Sequence, residues 1–306
     1  MHPLSPEVTS QLEALPNDSL IRLASNYGLE WIDSTARRML GKVSLEEALT
    51  TFFPELPQTR IAGIARESAL CSFRNFLWNY ALASPGEDGL ETRCHTGSSA
   101  ELLRETKGPA IIAIWHHGAT YMVPVGLQAL GISALMVGAR APGDWFWRIV
   151  SRETQLVKCS DEHDSPLSLK AALDRLRKGG VVIVAADGRS GKLGVKVPFL
   201  GRMLHVAKGI GVLARLSGAP IIPALAAWGP GDWSVDFHLY DPLSIPARGS
   251  MPVEEWESEV MTATAKRFEA IVRAHPGQLR IDRIARLCKF PRIRRSPAAT
   301  PARDVS

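Results

Sequence analysis

From Gly108 onward, short apolar runs alternate with amphipathic ones. A continuous apolar run bounded by turn residues is the pattern of a strand buried on both faces, and apolar residues three and four apart mark a helix with one buried side. The runs predict strands at Ala110–Trp115, Ser133–Val137, Gln155–Val157, Val181–Ala185, Ile221–Ala226 and Val235–Leu239. Helices are predicted over 119–130, 143–152, 166–178 and 205–217. Alternation of this kind is the signature of an α/β fold with a largely parallel central sheet flanked by helices. The last strand is expected to pair antiparallel at an edge. Gly179-Gly180 ends one helix just before the Val181 strand, where a C-terminal glycine belongs.

The pattern differs on either side of this core. Residues 1–107 read as a helical N-terminal region packing on it. Ser44-Leu-Glu-Glu47 has the capping-box spacing, in which serine and glutamate satisfy each other's backbone amides. From Thr59 to Leu82 a longer helix carries the apolar stripe Ile61, Ile64, Ala65, Ala69, Phe73, Phe76, Leu77 and Tyr80. Ser84-Pro-Gly-Glu-Asp-Gly89 reads as a linker. Residues 108–250 form the α/β core, and 251–290 a C-terminal helical segment. That segment opens at Pro252 with Glu254 and Glu255 in its first turn and stops at His275-Pro-Gly277. Beyond it, Arg280, Arg283, Arg286 and Lys289 recur every three residues, and 291–306 reads as a basic, disordered tail. The three-residue basic repeat is expected to be a solvated or frayed helix, with attachment to an anionic membrane as the alternative.

Composition narrows the partners. The 306 residues are 45% hydrophobic and 22% charged, ordinary for a chain that buries a core, and the formal net charge is +5. A basic protein favours acidic partners such as phosphates, anionic membranes or an acidic carrier protein. Cys71, Cys94, Cys159 and Cys288 form no C-x-x-C pair, so neither a zinc site nor a disulfide framework is expected. Neither a secretory signal nor an apolar run long enough to span a bilayer is read, which predicts a cytoplasmic protein, soluble or peripheral on the inner face of the membrane. Aromatic and basic residues interleave around Asp144-Trp-Phe-Trp147, but no nucleic-acid motif accompanies them and no nucleic-acid partner is expected.

Chemistry concentrates at two strand ends. His116, His117 and Gly118 follow the first core strand, and working residues in parallel sheets sit just past the carboxyl ends of strands. An imidazole there can take a proton near neutral pH. The second cluster runs from Asp187 through Arg189, Lys192 and Lys196 to Val197-Pro-Phe-Leu-Gly201. Glycines and spaced cations suit an anion, although the Walker spacing is absent. Lys208 opens the next apolar helix, and Arg140 adds a further cation.

The ordered set resembles a known family. His-x-Gly follows a buried strand; an Asp-led basic loop ends in Val-Pro-Phe-Leu-Gly; then come Leu213-Ala-Arg-Leu-Ser-Gly-Ala-Pro220 and Ile221-Ile-Pro223. Phe53-Pro-Glu-Leu56, Ile64-Ala-Arg-Glu-Ser68 and Ala274-His-Pro-Gly-Gln278, with Arg283 and Arg286 beyond, extend the match to roughly residues 40–290. The chain resembles the late, lauroyl/myristoyl-type acyltransferases of lipid A biosynthesis, within the lysophospholipid acyltransferase superfamily. The resemblance implies a glycerolipid acyltransferase-like fold and an acyl thioester donor, on acyl carrier protein or coenzyme A. It implies no cofactor beyond that phosphopantetheine-linked substrate, and no metal.

The family's His-x4-acid motif falls on His116, with Gly118 fixing the register, and its acid position is occupied by Tyr121. The tryptophan-rich ending of the family is replaced by Leu279-Arg-Ile-Asp282, and its membrane-spanning N-terminal helix is not seen. With the motif acid gone, three readings compete. Asp187 replaces it; or the acceptor is an amine, which needs a weaker base; or the chain is a non-catalytic relative that binds acyl carriers or membranes. The expected function is acyl transfer to an amine or hydroxyl of a small molecule in specialised biosynthesis. A peripheral-membrane acyltransferase of lipid A, a glycolipid or a lysophospholipid is the alternative. His116 is the expected general base, with Tyr121 and Asp187 beside it. His117, Gly118, Arg140, Arg189, Lys192, Lys196 and Lys208 are the expected substrate-binding residues, with amides near Gly118 or a nearby cation stabilising the oxyanion.

Overall fold

The computed structural model describes residues 35–81, 94–99, 101–102, 108–138, 154–158, 165–188, 194–229 and 234–291, with side chains in the first stretch described to 76. A helical segment at 35–40 leads into α1 (Leu45–Phe52), whose N-terminus carries the expected capping box: the Glu47 amide donates to Ser44 Oγ at 3.1 Å and the Ser44 amide to Glu47 Oε2 at 2.7 Å. Then follow α2 (Gln58–Ala81), β1 (Cys94–His95), β2 (Ala110–Ile114), a 3-10 turn (Thr120–Met122), α3 (Val123–Ala129), β3 (Ala134–Gly138) and β4 (Thr154–Lys158). The second half runs α4 (Ser165–Arg177), β5 (Val181–Ala185), β6 (Gly194–Phe199), β7 (Arg202–Ala207), α5 (Gly209–Ser217), β8 (Ile221–Trp228) and β9 (Val235–Leu239). It closes with α6 (Val253–Ala274), a 3-10 turn (Pro276–Gln278) and α7 (Ile281–Cys288).

Seven strands form one sheet in the order β1-β9-β8-β2-β5-β3-β4. Every neighbouring pair is parallel except β8 and β9, so the α/β expectation holds. β9 pairs antiparallel as expected but does not stand at the edge: β1, from the region read as helical, covers it. A two-residue strand is too short to leave a periodic signal, which is why the sequence hides it. The segment 194–207, read as loop and helix start, is instead the β6–β7 hairpin, turning through Leu200 and Gly201 with φ of 47° and 71°.

Alternation along β2 builds two apolar layers, because successive strand side chains point to opposite faces. Ile111, Ala113 and Trp115 join the layer holding Phe52, Ile61, Ile64, Leu213 and Phe268. Ala110, Ile112 and Ile114 join the other, with Val123, Leu127, Phe73 and Phe76. The buried stripe of α2 thus contributes to both layers; Leu77 and Tyr80 lie outside the described side chains. Trp115 stacks on Phe199 (ring centroids 4.4 Å apart, 16° between planes) and lies 5.4 Å from Phe268. The Val-Pro-Phe-Leu-Gly motif therefore supplies the aromatic wall behind the residue that precedes His116. No helix among the described residues is long and apolar enough to cross a membrane.

Candidate active site

β2 and β5 are hydrogen-bonded neighbours, with Ile114 opposite Ala185, and the ladder continues through the Ala186 amide to the Ile114 carbonyl at 2.8 Å. Two residues further along each strand, the same register sets His116 beside Asp187. His116 Nδ1 lies 2.5 Å from Asp187 Oδ1, and the His116 amide donates to the same oxygen at 3.3 Å. Asp187 is buried, whereas the His116 side chain keeps 23% of its surface exposed. With Nδ1–H donated to the carboxylate, Nε2 keeps its lone pair for a substrate proton.

The carboxylate has further partners. Arg283 Nη1 lies 3.4 Å from Asp187 Oδ2, and Arg286 Nη1 donates to the Asp187 carbonyl at 2.9 Å. Burial by itself would raise the Asp187 carboxyl. The His116 charge and hydrogen bond, then Arg283 and Arg286, more than offset it and hold the group well below the usual carboxylate range. Asp187 is accordingly an anion at neutral pH. The carboxylate on His116 thus comes from the end of β5. Tyr121, at the family's acid position, sits half-buried on the 3-10 turn.

His117, expected to bind substrate, is the inward member of the pair. It is 2% exposed, and neither ring nitrogen makes a well-formed hydrogen bond. Its amide is taken by the Trp115 carbonyl and Thr120 Oγ1, which hold the backbone so that the ring points into protein. Burial, then the neighbouring His275 charge, push the imidazole down to about 3 from 6.5. The unfolded chain therefore binds a proton near pH 6.5 that the folded chain refuses until about pH 3. Its contribution to stability is complete above pH 6.5 and declines as pH falls through that window, by up to ~1.4 kcal/mol per pH unit. Acid unfolding followed by circular dichroism from pH 7 to 4 should show this slope, and His117→Leu should flatten it. An unchanged slope in the variant would assign the acid sensitivity elsewhere.

Gly118, also expected at the substrate, is a strap point. Its φ is 61°; its amide donates to the Gln278 carbonyl at 2.9 Å, and its own carbonyl accepts from Asn75 Nδ2 at 3.1 Å. Ala119 donates to Ala226 at 2.7 Å, and the Gln278 side chain pairs both backbone groups of Trp228 at 3.0 and 3.2 Å. Every amide from His116 to Ala119 is thus already committed. An oxyanion hole built from these amides, one half of the expectation, does not fit; a cation is the half that remains.

The cations fare unequally. Lys208 is an ion-pair partner of buried Glu257 at 2.9 Å, as is Arg215, so Lys208 ties α5 to α6. Lys196 is exposed on β6, opposite His205. Arg140, Arg189 and Lys192 lie outside the described residues. Arg280, Arg283 and Arg286, expected on a solvated or membrane-facing surface, turn inward. Arg280 is 8% exposed and forks onto Asp282 at 3.0 and 2.9 Å, while Ile281, Ile284 and Leu287 seat α7 in the core. The helix read for this stretch is present, but its apolar residues fall between the arginines, so the segment docks on the core instead of lying solvated or frayed. Gln278, Asn75, Asp282 and these arginines were not read from the sequence as site residues, although Gln278, Arg283 and Arg286 belong to the C-terminal stretch that carries the family resemblance.

A family model described as bacterial lipid A biosynthesis acyltransferase matches residues 88–280, more than half of the chain. Among solved structures, the 1-acyl-sn-glycerophosphate (LPA) acyltransferase PlsC from Thermotoga maritima is similar at 16% identity. That match covers 84% of this chain and 96% of that one, with a TM-score of 0.37. No curated protein sequence matches the chain. The family match spans both strand ends that carry His116 and Asp187, and the chain belongs to the bacterial lipid A biosynthesis acyltransferase family.

Proposed function

We propose that the protein moves an acyl group from a thioester, on acyl carrier protein or coenzyme A, to a hydroxyl or amine acceptor, with His116 as general base and Asp187 as its acid. The observation that carries this reading is the His116 Nδ1–Asp187 Oδ1 contact of 2.5 Å at the carboxyl ends of two paired strands. His116 Nε2 takes the acceptor proton as the acceptor oxygen or nitrogen attacks the thioester carbonyl. The tetrahedral oxyanion collapses, the carbon–sulfur bond breaks, and the thiolate leaves with the proton returned by the imidazolium. Asp187 orients the ring and offsets its transient charge, as the acid of a Ser-His-Asp triad does. Arg140, Arg189, Lys192 and Lys196 are the cations assigned to the phosphopantetheine phosphate or an anionic acceptor.

Because an ionised acid is in place, the chemistry does not require an amine acceptor. The geometry favours the first of the three competing readings, and alcohol and amine acceptors stand level. Small-molecule acceptors of specialised biosynthesis and membrane glycolipids or lysophospholipids both supply such groups.

The test pairs acyl-carrier and acyl-CoA donors with a panel of alcohol and amine acceptors, with wild type and His116→Ala side by side. Release of free thiol that depends on both acceptor and His116 is the expected result. Equal turnover in the two proteins would remove His116 from the mechanism. Inert protein that still binds carrier or anionic liposomes would favour a binding relative.

A further inference from the structure

We propose that Arg283 is a positioning residue of this enzyme: it clamps the free oxygen of Asp187 so that the other oxygen stays on His116, and Arg286 fixes the same residue through its backbone. The inference rests on the reading of His116 and Asp187 as base and acid.

A carboxylate held through one oxygen can rotate about its last side-chain bond. Asp187 Oδ1 serves His116 twice, at the ring and at the amide, which leaves Oδ2 to set the carboxylate plane. Arg283 Nη1 meets Oδ2 at 3.4 Å, and the Arg286 hydrogen bond to the Asp187 carbonyl at 2.9 Å pins the main chain beneath it. Held from both ends, the group keeps its geometry as the histidine ring gains and loses charge.

Arg283 is itself placed. Its Nε lies 3.3 Å from Asp282 Oδ2, and Asp282 is forked by Arg280. Arg280 is itself buried. A line of alternating charge therefore runs His116–Asp187–Arg283–Asp282–Arg280. It starts at the histidine and ends at the buried Arg280 guanidinium. α7 and its N-cap residue Arg280 supply all but the first two members, and the apolar residues Ile281, Ile284 and Leu287 hold the helix in register.

The cation also leaves an electrostatic signature. Asp187 shares its negative charge between His116 and Arg283, so Arg283 opposes a second positive charge at the ring. Removing it favours protonation of the base and moves the acidic limb of the kcat/KM profile to higher pH.

The experiment compares wild type, Arg283→Gln, Arg283→Lys, Asp187→Asn and the Asp187→Asn/Arg283→Gln double variant. It records pH profiles and thermal midpoints, together with the low-field NMR resonance of the imidazole proton shared with Asp187, which needs no substrate. Arg283→Gln is expected to lose roughly tenfold in kcat, the lower end for an orienting partner behind a functional side chain. It should also shift the acidic limb upward and weaken or move the low-field resonance. Arg283→Lys should restore the limb, and the Gln substitution should add nothing once Asp187 is Asn. A lowered melting point with limb and resonance unmoved would make Arg283 merely structural and overturn the proposal. Wild-type turnover in Asp187→Asn would overturn the base–acid reading beneath it. Loss in Asp187→Asn with Arg283→Gln unaffected would overturn the clamp alone.

Discussion

Replacing Asp187 by Asn should cut acyl transfer by about four orders of magnitude, the cost seen when the acid of a Ser-His-Asp triad is neutralised. Asn keeps the shape of the carboxyl but not its charge. Its amide can present a donor to Nδ1, and the ring then holds its proton on Nε2, the atom needed as base. Arg283, which in the wild type meets a carboxylate held ionised below the usual range, would face a neutral group, while the Arg286 bond to the backbone carbonyl would remain. The loss should fall on kcat with KM little changed, because the acid acts on the charge that develops in the transition state. Single-turnover kinetics on the wild type and the variant would measure it, with circular dichroism confirming the fold. A variant within a few-fold of wild type would mean that Asp187 is a structural anion and that His116 works without it.

Gly118→Ala should be the most disruptive small change to the fold of the site. The φ of 61° is one that alanine avoids, and a methyl at this position would collide with the Ala226 carbonyl oxygen, which is fixed in β8. The backbone conformation costs about 1 kcal/mol and the overpacking about 1–3 kcal/mol more, so roughly 2–4 kcal/mol is expected in all. That corresponds to a fall of roughly 3–6 °C in melting temperature for a chain of this size. Gly131→Ala is the control: φ is 73°, but nothing lies within 4 Å of the added carbon, so only the conformational cost applies. Calorimetry of both variants separates the terms. Activity should fall further than stability in Gly118→Ala, because the same loop carries His116 between the Gln278 and Asn75 straps. Equal melting points for the two variants would show that β8 yields, and that the strap is softer than its hydrogen bonds suggest.

The apolar pattern along the chain determined a great deal. It specified the α/β class, nearly every strand of the sheet and the capping box on α1, because burial on both faces and helical periodicity write themselves directly into residue order. It also placed His116 at a strand end, where Gly118 fixes the family register. Strand order was not in that pattern. That β5 inserts between β2 and β3 follows from how the crossover helices pack, and only this adjacency sets Asp187 beside His116, 71 residues away in sequence. The same holds for the arginines after Gln278. As a local pattern they read as a solvated basic repeat; their inward turn depends on a carboxylate and an apolar layer contributed by distant segments. Residue order determined which groups were available and at which ends of which elements. Tertiary packing decided that the carboxylate beside His116 is that of Asp187, while position 121 carries a tyrosine, because a parallel ladder aligns residues that no local spacing relates.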